Sequence, residues 1–288
     1  MDLYNLKLFL HLSGTLHFAR TSRICNITPS ALSRMIQRLE NEVGGKLFER
    51  DNRSVKLTKT GMDFRNYAID VIDRWERFCE TKNRESGILS GEISLYCSVT
   101  ACYSILPGII DSFRKKYPKI HINLITGDAA DAVKKILNNE ADLAVAAKPD
   151  SLSPGLIFRV IIKTPLVFVA QKDIIEKEIN WEKTPMIFPE RSISRKRVEE
   201  WFRSKSIKPE IYAEVSGNEA ILAMVRVGCG IGIVPKLVIE KSPLESELKI
   251  LKTFPCLAPY SVGICTGKKR IKSPIVKAFW ELSTEIKA

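Results

Sequence analysis

Apolar and polar positions alternate through the first sixty residues with the spacing of short helices. Leu3, Leu6, Phe9, Leu10 and Leu12 form one apolar face, which predicts a first helix. The run HFARTSRIC predicts a second. A third should open at Thr28, which can cap it, with Pro29 at its first position and Gly44-Gly45 at its end. LFER and SVKLT, separated by DNR, then predict a small two-stranded wing.

A longer helix is predicted over residues 60–86. Its apolar positions are spaced alternately by four and three residues, at Phe64, Ala68, Val71, Trp75 and Phe78. Such a heptad-like seam suits pairing with another helix, so we expect a dimerising connector. The alternative is a helix packed on its own domain. SGILSGE, from residue 86 to 92, predicts a linker.

From residue 92 the pattern changes to alternating strands and helices. EISLYCSV, KIHINLITG, ADLAVAA, TPLVFVAQ, TPMIFPE, EIYAEVS, GIGIVPKLVI and YSVGICT are strand-like. This alternation predicts parallel sheets with helices on both faces. About two hundred residues suit two such subdomains, with a small-molecule site between them outside the carboxyl ends of strands.

The third predicted helix has two contrasting faces. Its apolar side, for burial, consists of Leu32, Ile36, Leu39 and Val43. Its other side consists of Ser30, Ser33, Arg34, Gln37 and Asn41. Short Ser side chains allow the helix to approach DNA closely. Arg can donate two hydrogen bonds to guanine, and Gln can pair with adenine. With a preceding helix and a basic wing tip at Arg50, Asn52 and Arg53, this pattern favours a DNA-reading helix over an ordinary solvated face.

Charge is consistent with an anionic polymer as partner. The chain has a formal net charge of +12, and residues 1–60 hold ten Lys and Arg against five Asp and Glu. A generic basic surface is the alternative, because charge balance alone discriminates weakly.

Other functional classes lack their residues. Seven widely spaced cysteines without a C-x-x-C pair, and three histidines, argue against a metal or redox site, so we expect no cofactor. The motifs of nucleophilic hydrolases, P-loop enzymes and zinc proteases are absent from the sequence, so we expect no enzyme. GCGIGIVP is better explained as a helix-to-strand turn than as a dinucleotide loop.

No stretch is apolar enough to span a membrane, and MDLYNLKLFLHLSG lacks the features of a signal peptide, so we expect a cytoplasmic protein.

The run FARTSRICNITPSALSRMIQRLENEVGGKLFERDNRSVKLTKTG resembles the N-terminal signature of LysR-type transcriptional regulators. The resemblance implies an α+β multidomain fold: a winged helix-turn-helix (1–60), a dimerising linker helix (61–90) and a two-subdomain α/β effector domain like periplasmic binding proteins (91–288). We expect subdomain I at about 91–162 and 267–288, and subdomain II at about 163–266.

The resemblance also implies partners. Family members bind double-stranded operator DNA as homodimers or homotetramers and recruit RNA polymerase in response to a small co-inducer. Their DNA contacts carry over onto Pro29, Ser30, Ser33, Arg34 and Arg53. Thr28 matches less informatively, and Gln37 is added from its position on the polar face.

Several effector-domain segments, including LYCSVTACYSILP and GNEAILAMVRVGCGIGIVPK, resemble the branch of the family that activates the acetohydroxy-acid isomeroreductase gene in isoleucine and valine synthesis. That branch responds to acetolactate or acetohydroxybutyrate, which are small anionic acetohydroxy acids. A regulator with another effector and, more remotely, a solute-binding protein are the alternatives.

The expected effector residues follow strand ends and open helices in both subdomains. They are Ser98, Thr100, Thr126, Gly127, Asp128, Arg195, Ser216 and Asn218. Arg195 would pair with the effector carboxylate, and Asp128 or Asn218 would hold its hydroxyl. The alternatives are helix capping for Ser98 and Thr100, and an ordinary surface charge for Arg195.

Overall fold

The computed structural model describes residues 2–50, 54–85, 89–253 and 255–284. The chain divides into two compact units, Met1–Gly87 and Ile88–Ala288. None of the helices in the described part of the chain combines the length and apolar character needed to span a bilayer.

The first unit is helical with a small hairpin. Its elements are α1 (Leu3–Thr15), α2 (Phe18–Ile24), α3 (Pro29–Val43), β1 (Phe48–Arg50), β2 (Val55–Leu57) and α4 (Lys59–Glu85). The two strands pair antiparallel. The core joins α1, α3 and α4 through buried Phe9, Ile36 and Phe64, and the Phe9 and Phe64 rings meet edge-on at 4.8 Å. The predicted order of helices and wing is confirmed.

The predicted seam of α4 divides into two parts. Phe64 and Ala68 are buried in the core of their own unit, and Val71 packs against that core. Trp75 and Phe78 are instead 51% and 56% exposed. The first half of the seam therefore follows the alternative of packing within the domain, whereas the second half leaves the apolar side chains of Trp75 and Phe78 exposed.

The second unit contains two five-stranded sheets, each with helices on both faces. Its helices are α5 (Val99–Ser104), α6 (Leu106–Lys116), α7 (Ala132–Leu137), α8 (Ile193–Ser204), α9 (Asn218–Arg226), α10 (Lys236–Glu240) and α11 (Pro274–Leu282). Its strands are β3 (Gly91–Cys97), β4 (Ile120–Thr126), β5 (Leu143–Ala147), β6 (Leu156–Thr164), β7 (Leu166–Gln171), β8 (Met186–Pro189), β9 (Ile211–Val215), β10 (Ile231–Pro235), β11 (Leu248–Ile250) and β12 (Tyr260–Gly267).

Strand pairing corrects two expectations. The sheet orders are β4-β3-β5-β12-β6 and β11-β7-β10-β8-β9. The sheets are mixed rather than parallel, because β12 runs antiparallel to β5 and β6 and β7 runs antiparallel to β10 and β11. The expected subdomain II limit at residue 266 is also wrong, because β12 completes the sheet of subdomain I.

Two further elements differ from the sequence prediction. The strand β6 was not predicted, although it forms one edge of the first sheet. The strand predicted from GIGIVPKLVI ends at Pro235, and Lys236–Glu240 is a helix. The chain passes between the two sheets at β6–β7 and again at β11–β12. At the first passage the Thr164 hydroxyl accepts the Leu237 N–H at 3.0 Å, which ties the two subdomains together beside the cleft.

Candidate DNA interface and effector cleft

The helix α3 presents the polar face that its sequence predicts. Thr28 accepts the Ala31 N–H at 3.2 Å, and Pro29 opens the first turn. Gly44 adopts φ +75° at the other end, a left-handed conformation that favours glycine. Leu32, Ile36 and Leu39 are buried. The opposite side is solvent-facing: Ser30, Arg34 and Gln37 are exposed and Ser33 is half-buried.

The helix α2 is joined to the end of α1 through Thr21. Thr21 is fully buried and hydrogen-bonds through its hydroxyl to Thr15 at 2.5 Å and to the His17 carbonyl at 3.1 Å. Asn26 adopts φ +51° in the turn, which asparagine tolerates better than most residues. This two-helix arrangement is a helix-turn-helix with α3 in the position of the recognition helix.

Arg50 joins the hairpin to the polar face of α3, which consists of Ser30, Ser33, Arg34 and Gln37 and is called the reading face below. Its guanidinium lies 4.4 Å from the centre of the Phe18 ring, and Nη1 donates to the Ser33 hydroxyl at 3.3 Å. The positive charge of Arg50 is thereby held beside Ser33. Asn52 and Arg53, the other predicted residues of the wing tip, lie outside the described residues.

Glu40 holds the hairpin against α3, a role that the sequence pattern did not predict. Its side chain is only 4% exposed, and Oε1 accepts the backbone N–H groups of Leu47 and Phe48 at 3.0 and 3.3 Å. Lys46 donates to Oε2 at 3.1 Å. Burial by itself raises the pKa of the Glu40 carboxyl, but these hydrogen bonds outweigh it and hold the pKa below its ordinary value. Glu40 thus fastens the strand β1 to α3.

The second unit contains a cleft with about 380 Å³ of space, part of it open to solvent. Its polar walls come from the predicted residues Ser98, Thr100 and Asn218, and its apolar walls include Leu237 and Val262. Ser98 caps α5 by accepting the Ala101 N–H at 3.3 Å. Gly217 offers no side chain to cap α9, so the first-turn N–H groups of that helix lack a cap of this kind.

Around this cleft, three contacts between side chains of the described residues cross from one subdomain to the other. The Thr100 hydroxyl donates to Glu219 Oε1, and the Ser216 hydroxyl donates to Asp128 Oδ2. Lys196 pairs with Asp150 at 2.7 Å. Three of the predicted effector residues therefore already bind partners of the opposite subdomain.

Asp128 is further constrained by its own loop. Its carboxylate accepts the Ala130 N–H at 2.9 Å, and its carbonyl accepts the Tyr96 hydroxyl at 2.8 Å. Gly127 is required beneath this ring, because a Cβ there would lie 2.4 Å from the Tyr96 oxygen. Thr126 is exposed at the end of β4. Thr126 and Gly127 position the loop and are not among the residues that line the cleft.

The structure places Arg195 outside the lining of the cleft, paired with two glutamates. Its guanidinium pairs with Glu199 at 2.5 Å and with Glu214 at 2.7 Å, and it stacks 5.1 Å from the centre of the Phe188 ring. The pairing with Glu214 holds it against β9, and it is absent from the cleft lining. This pairing was not predicted, because Glu214 lies on a separate strand whose proximity to α8 is invisible in the local sequence.

Cys97 directly precedes the cleft residue Ser98, and its side chain is buried. Burial, together with the neighbouring Cys102 thiol, raises the pKa of Cys97 to about 12. The thiol is therefore protonated at neutral pH, which fits a packing role.

Comparison with known proteins covers both units. Residues 3–62 match the family model described as bacterial regulatory helix-turn-helix protein, lysR family, and residues 86–287 match the LysR substrate binding domain. The HTH-type transcriptional activator IlvY of Salmonella typhimurium is 40% identical over 98% of this chain and 99% of the relative. Its namesake in Haemophilus influenzae is 42% identical over 98% and 99%.

The fold also has a solved counterpart. A full-length variant of OxyR from Pseudomonas aeruginosa is similar with a TM-score of 0.68 at 20% identity, over 99% of this chain and 94% of that one. The reading helix, the two-subdomain unit and these matches together lead to one conclusion: the chain belongs to the LysR family of helix-turn-helix transcriptional regulators.

Proposed function

We propose that this protein binds double-stranded operator DNA and activates the acetohydroxy-acid isomeroreductase gene in response to acetolactate or acetohydroxybutyrate. The observation that carries the proposal is 40–42% identity to IlvY activators along 98% of the chain, because such similarity includes both the reading helix and the effector cleft. Recruitment of RNA polymerase by the DNA-bound protein is part of the proposal.

The α3 face supplies the chemistry for DNA recognition. Arg34 and Gln37 are exposed one turn apart, where each side chain can reach a base edge in the major groove. Thr28, Pro29 and Ser30 are also exposed at the start of α3, where small side chains permit close approach to a phosphate. Ser33, with the guanidinium of Arg50 beside it, adds a polar contact on the same face.

The cleft supplies donors for an acetohydroxy acid. Among the described residues that line it there is no Lys or Arg, so the effector carboxylate would rely on neutral donors. Asn218 and the first-turn N–H groups of α9 are suited to this, because a helix start carries partial positive charge. On the other side of the cleft, the lining includes the Ser98 and Thr100 hydroxyls.

The assembly is a homodimer through α4, which can pair into a homotetramer. Trp75 and Phe78 support this, because their rings lie 6.0 Å apart on an exposed part of the helix and aromatic residues dominate the energetics of many interfaces. Replacing both by Ala should weaken dimerisation at least about a hundredfold, measured by sedimentation equilibrium. Ile175→Ala, which removes another apolar side chain that is 57% exposed, should leave the dimer intact.

Footprinting on the promoter region of the isomeroreductase gene tests the function. We expect protection by the protein at nanomolar concentration, steep loss of affinity with added salt as counterions rebind, and a changed footprint on addition of acetolactate. Pyruvate, which has the carboxylate and ketone without the tertiary hydroxyl, is the control ligand. Absence of DNA binding would overturn the proposal, and a footprint indifferent to both acetohydroxy acids would leave a LysR-type regulator of another effector.

A further inference from the structure

Glu219 lies beside the cleft and is joined to its lining through Thr100, although no sequence pattern predicted this role. It lies in the first turn of α9, directly after the cleft residue Asn218. Its Oε1 accepts the hydroxyl of Thr100 from the opposite subdomain. Thr100 is only 4% exposed and itself lines the cleft. A carboxylate is therefore hydrogen-bonded to the same hydroxyl that a ligand would meet.

Glu219 lies in the first turn of α9, which carries the partial positive charge of a helix N-terminus. Burial raises the pKa of the Tyr103 hydroxyl on α5, and the charge of Glu219 raises it further. Tyr103 therefore stays neutral and adds no second negative charge beside Glu219. An ionised carboxylate accepts hydrogen bonds and donates none.

This chemistry restricts what can bind. An anionic ligand in a cleft without Lys or Arg in its described lining meets like-charge repulsion from Glu219. A ligand that also carries a hydroxyl can donate it to Glu219 and relieve this cost, whereas a methyl group in that place would leave a desolvated carboxylate without its donor. Sites built around such a polar group reject analogues that lack the matching donor.

We propose that Glu219 is the specificity-determining residue of the cleft, which selects hydroxy acids by accepting the hydroxyl next to the ligand carboxylate. Binding replaces the Thr100 hydroxyl by the ligand hydroxyl as the donor to Glu219. The proposal rests on the proposed function, since it assumes that the cleft takes a small carboxylic acid, and it adds the residue that enforces the hydroxyl.

Two stable acids test the selection. 2-Hydroxy-2-methylbutanoate and 2,2-dimethylbutanoate differ only by a hydroxyl in place of a methyl group. Calorimetry on the full-length protein should give wild type a preference of about a hundredfold for the hydroxy acid. In Glu219→Gln this preference should fall to about tenfold or less, mainly because the hydroxyl-free acid binds better once the negative charge is removed.

Asp150→Asn is the matched control. It makes the same carboxylate-to-amide change in another contact between the two subdomains, the ion pair with Lys196 at 2.7 Å. The preference for the hydroxy acid should stay at its wild-type value in this variant. An equal loss of both acids in Glu219→Gln, with an unchanged ratio, would overturn the selection role and make Glu219 a structural tie.

The remaining outcomes separate the two proposals. If wild type binds acetolactate but has equal affinity for the two analogues, the role of Glu219 is overturned and the effector proposal stands. Absence of binding of acetolactate and of both analogues would overturn the effector proposal, and the selection role with it.

Discussion

The reading face of α3 and the effector cleft differ in how far apart their residues lie in the sequence. The face takes its exposed residues from consecutive turns of one capped helix, so its geometry follows from helical periodicity alone. The cleft is assembled from segments as distant in sequence as Ser98, Asn218 and Val262. Substitutions on the face should therefore act on DNA binding alone, whereas substitutions at the cleft should also alter how the two subdomains hold together.

The largest expected effect is that of Arg34→Ala. A bidentate contact to a base contributes about 1–3 kcal/mol, and a dimer loses two of them, so operator affinity should fall by about a thousandfold. Acetolactate affinity should be unchanged, because the effector cleft contains no residue of α3. Gel-shift titration and calorimetry on the same preparation measure both quantities.

Arg203→Ala is the control for this change. Arg203 is an exposed residue of α8 in the effector unit, and its removal takes away the same charge without touching α3. Operator affinity should change by less than about threefold, because Arg203 lies outside the DNA-binding unit and an exposed charge that makes no direct DNA contact is screened by salt. If Arg34→Ala lost DNA and effector binding together, the separation of the two regions would be wrong.

The difference between the regions also explains what the sequence predicts well. Thr28, Pro29 and Gly44 are local signals, and the helix they delimit is Pro29–Val43 with Thr28 as its cap. The polar and apolar sides of α3 follow from the same local rule. The fold of each subdomain was partly predictable for the same reason, since strands such as Leu166–Gln171 and helices such as Asn218–Arg226 have clear periodicity.

Pairings between distant segments account for the failures. The strand β12 follows the subdomain II segments in sequence but completes the first sheet, and only its antiparallel register with β5 and β6 reveals this. Arg195 lies in the predicted helix yet binds Glu214, nineteen residues away. Glu219 has a polar partner 119 residues away. Local pattern carries no information on such partners.

The second prediction concerns the support beneath the reading face. Glu40→Ala leaves the buried Leu47 and Phe48 N–H groups without their acceptor, and each unsatisfied group costs about 1–3 kcal/mol. We expect a loss of about 3 kcal/mol in the free energy of unfolding of the first unit, measured by denaturant titration. Lys46→Ala removes only the outer partner, which is 73% exposed, and should cost less than about 1 kcal/mol.

Retention of wild-type stability in Glu40→Ala would mean that the hairpin holds its place without this carboxylate. The geometry of the reading face would then depend on α3 alone, whereas that of the cleft depends on segments distant in sequence. Operator affinity in the same variant reports whether the position of β1, and of Arg50 on it, matters for DNA binding.

The third prediction addresses the cleft. Ser216→Ala removes the hydroxyl that Asp128 accepts across the two subdomains, and a single hydrogen bond contributes about 1 kcal/mol. Hydrogen exchange of the backbone at residues 129–131 should become about fivefold faster, while operator affinity of the effector-free protein stays the same. Ser204→Ala removes a hydroxyl that bonds only within α8, to the Trp201 carbonyl, and should not change exchange at the cleft.

The smallest effect is the acid sensitivity of the first unit. The pKa of Glu40 lies below its ordinary value of 4.5 in the folded state, so this carboxylate adds stability that is fully present above pH 4.5 and is lost as the pH falls through the lower folded value. A protonated carboxyl keeps one acceptor oxygen for the Leu47 and Phe48 N–H groups, and therefore the loss is smaller than in Glu40→Ala. The difference in stability between wild type and Glu40→Gln, which cannot titrate, should narrow steadily below about pH 4.5. A difference that persists unchanged to about pH 3 would mean that the contribution of Glu40 does not depend on its charge.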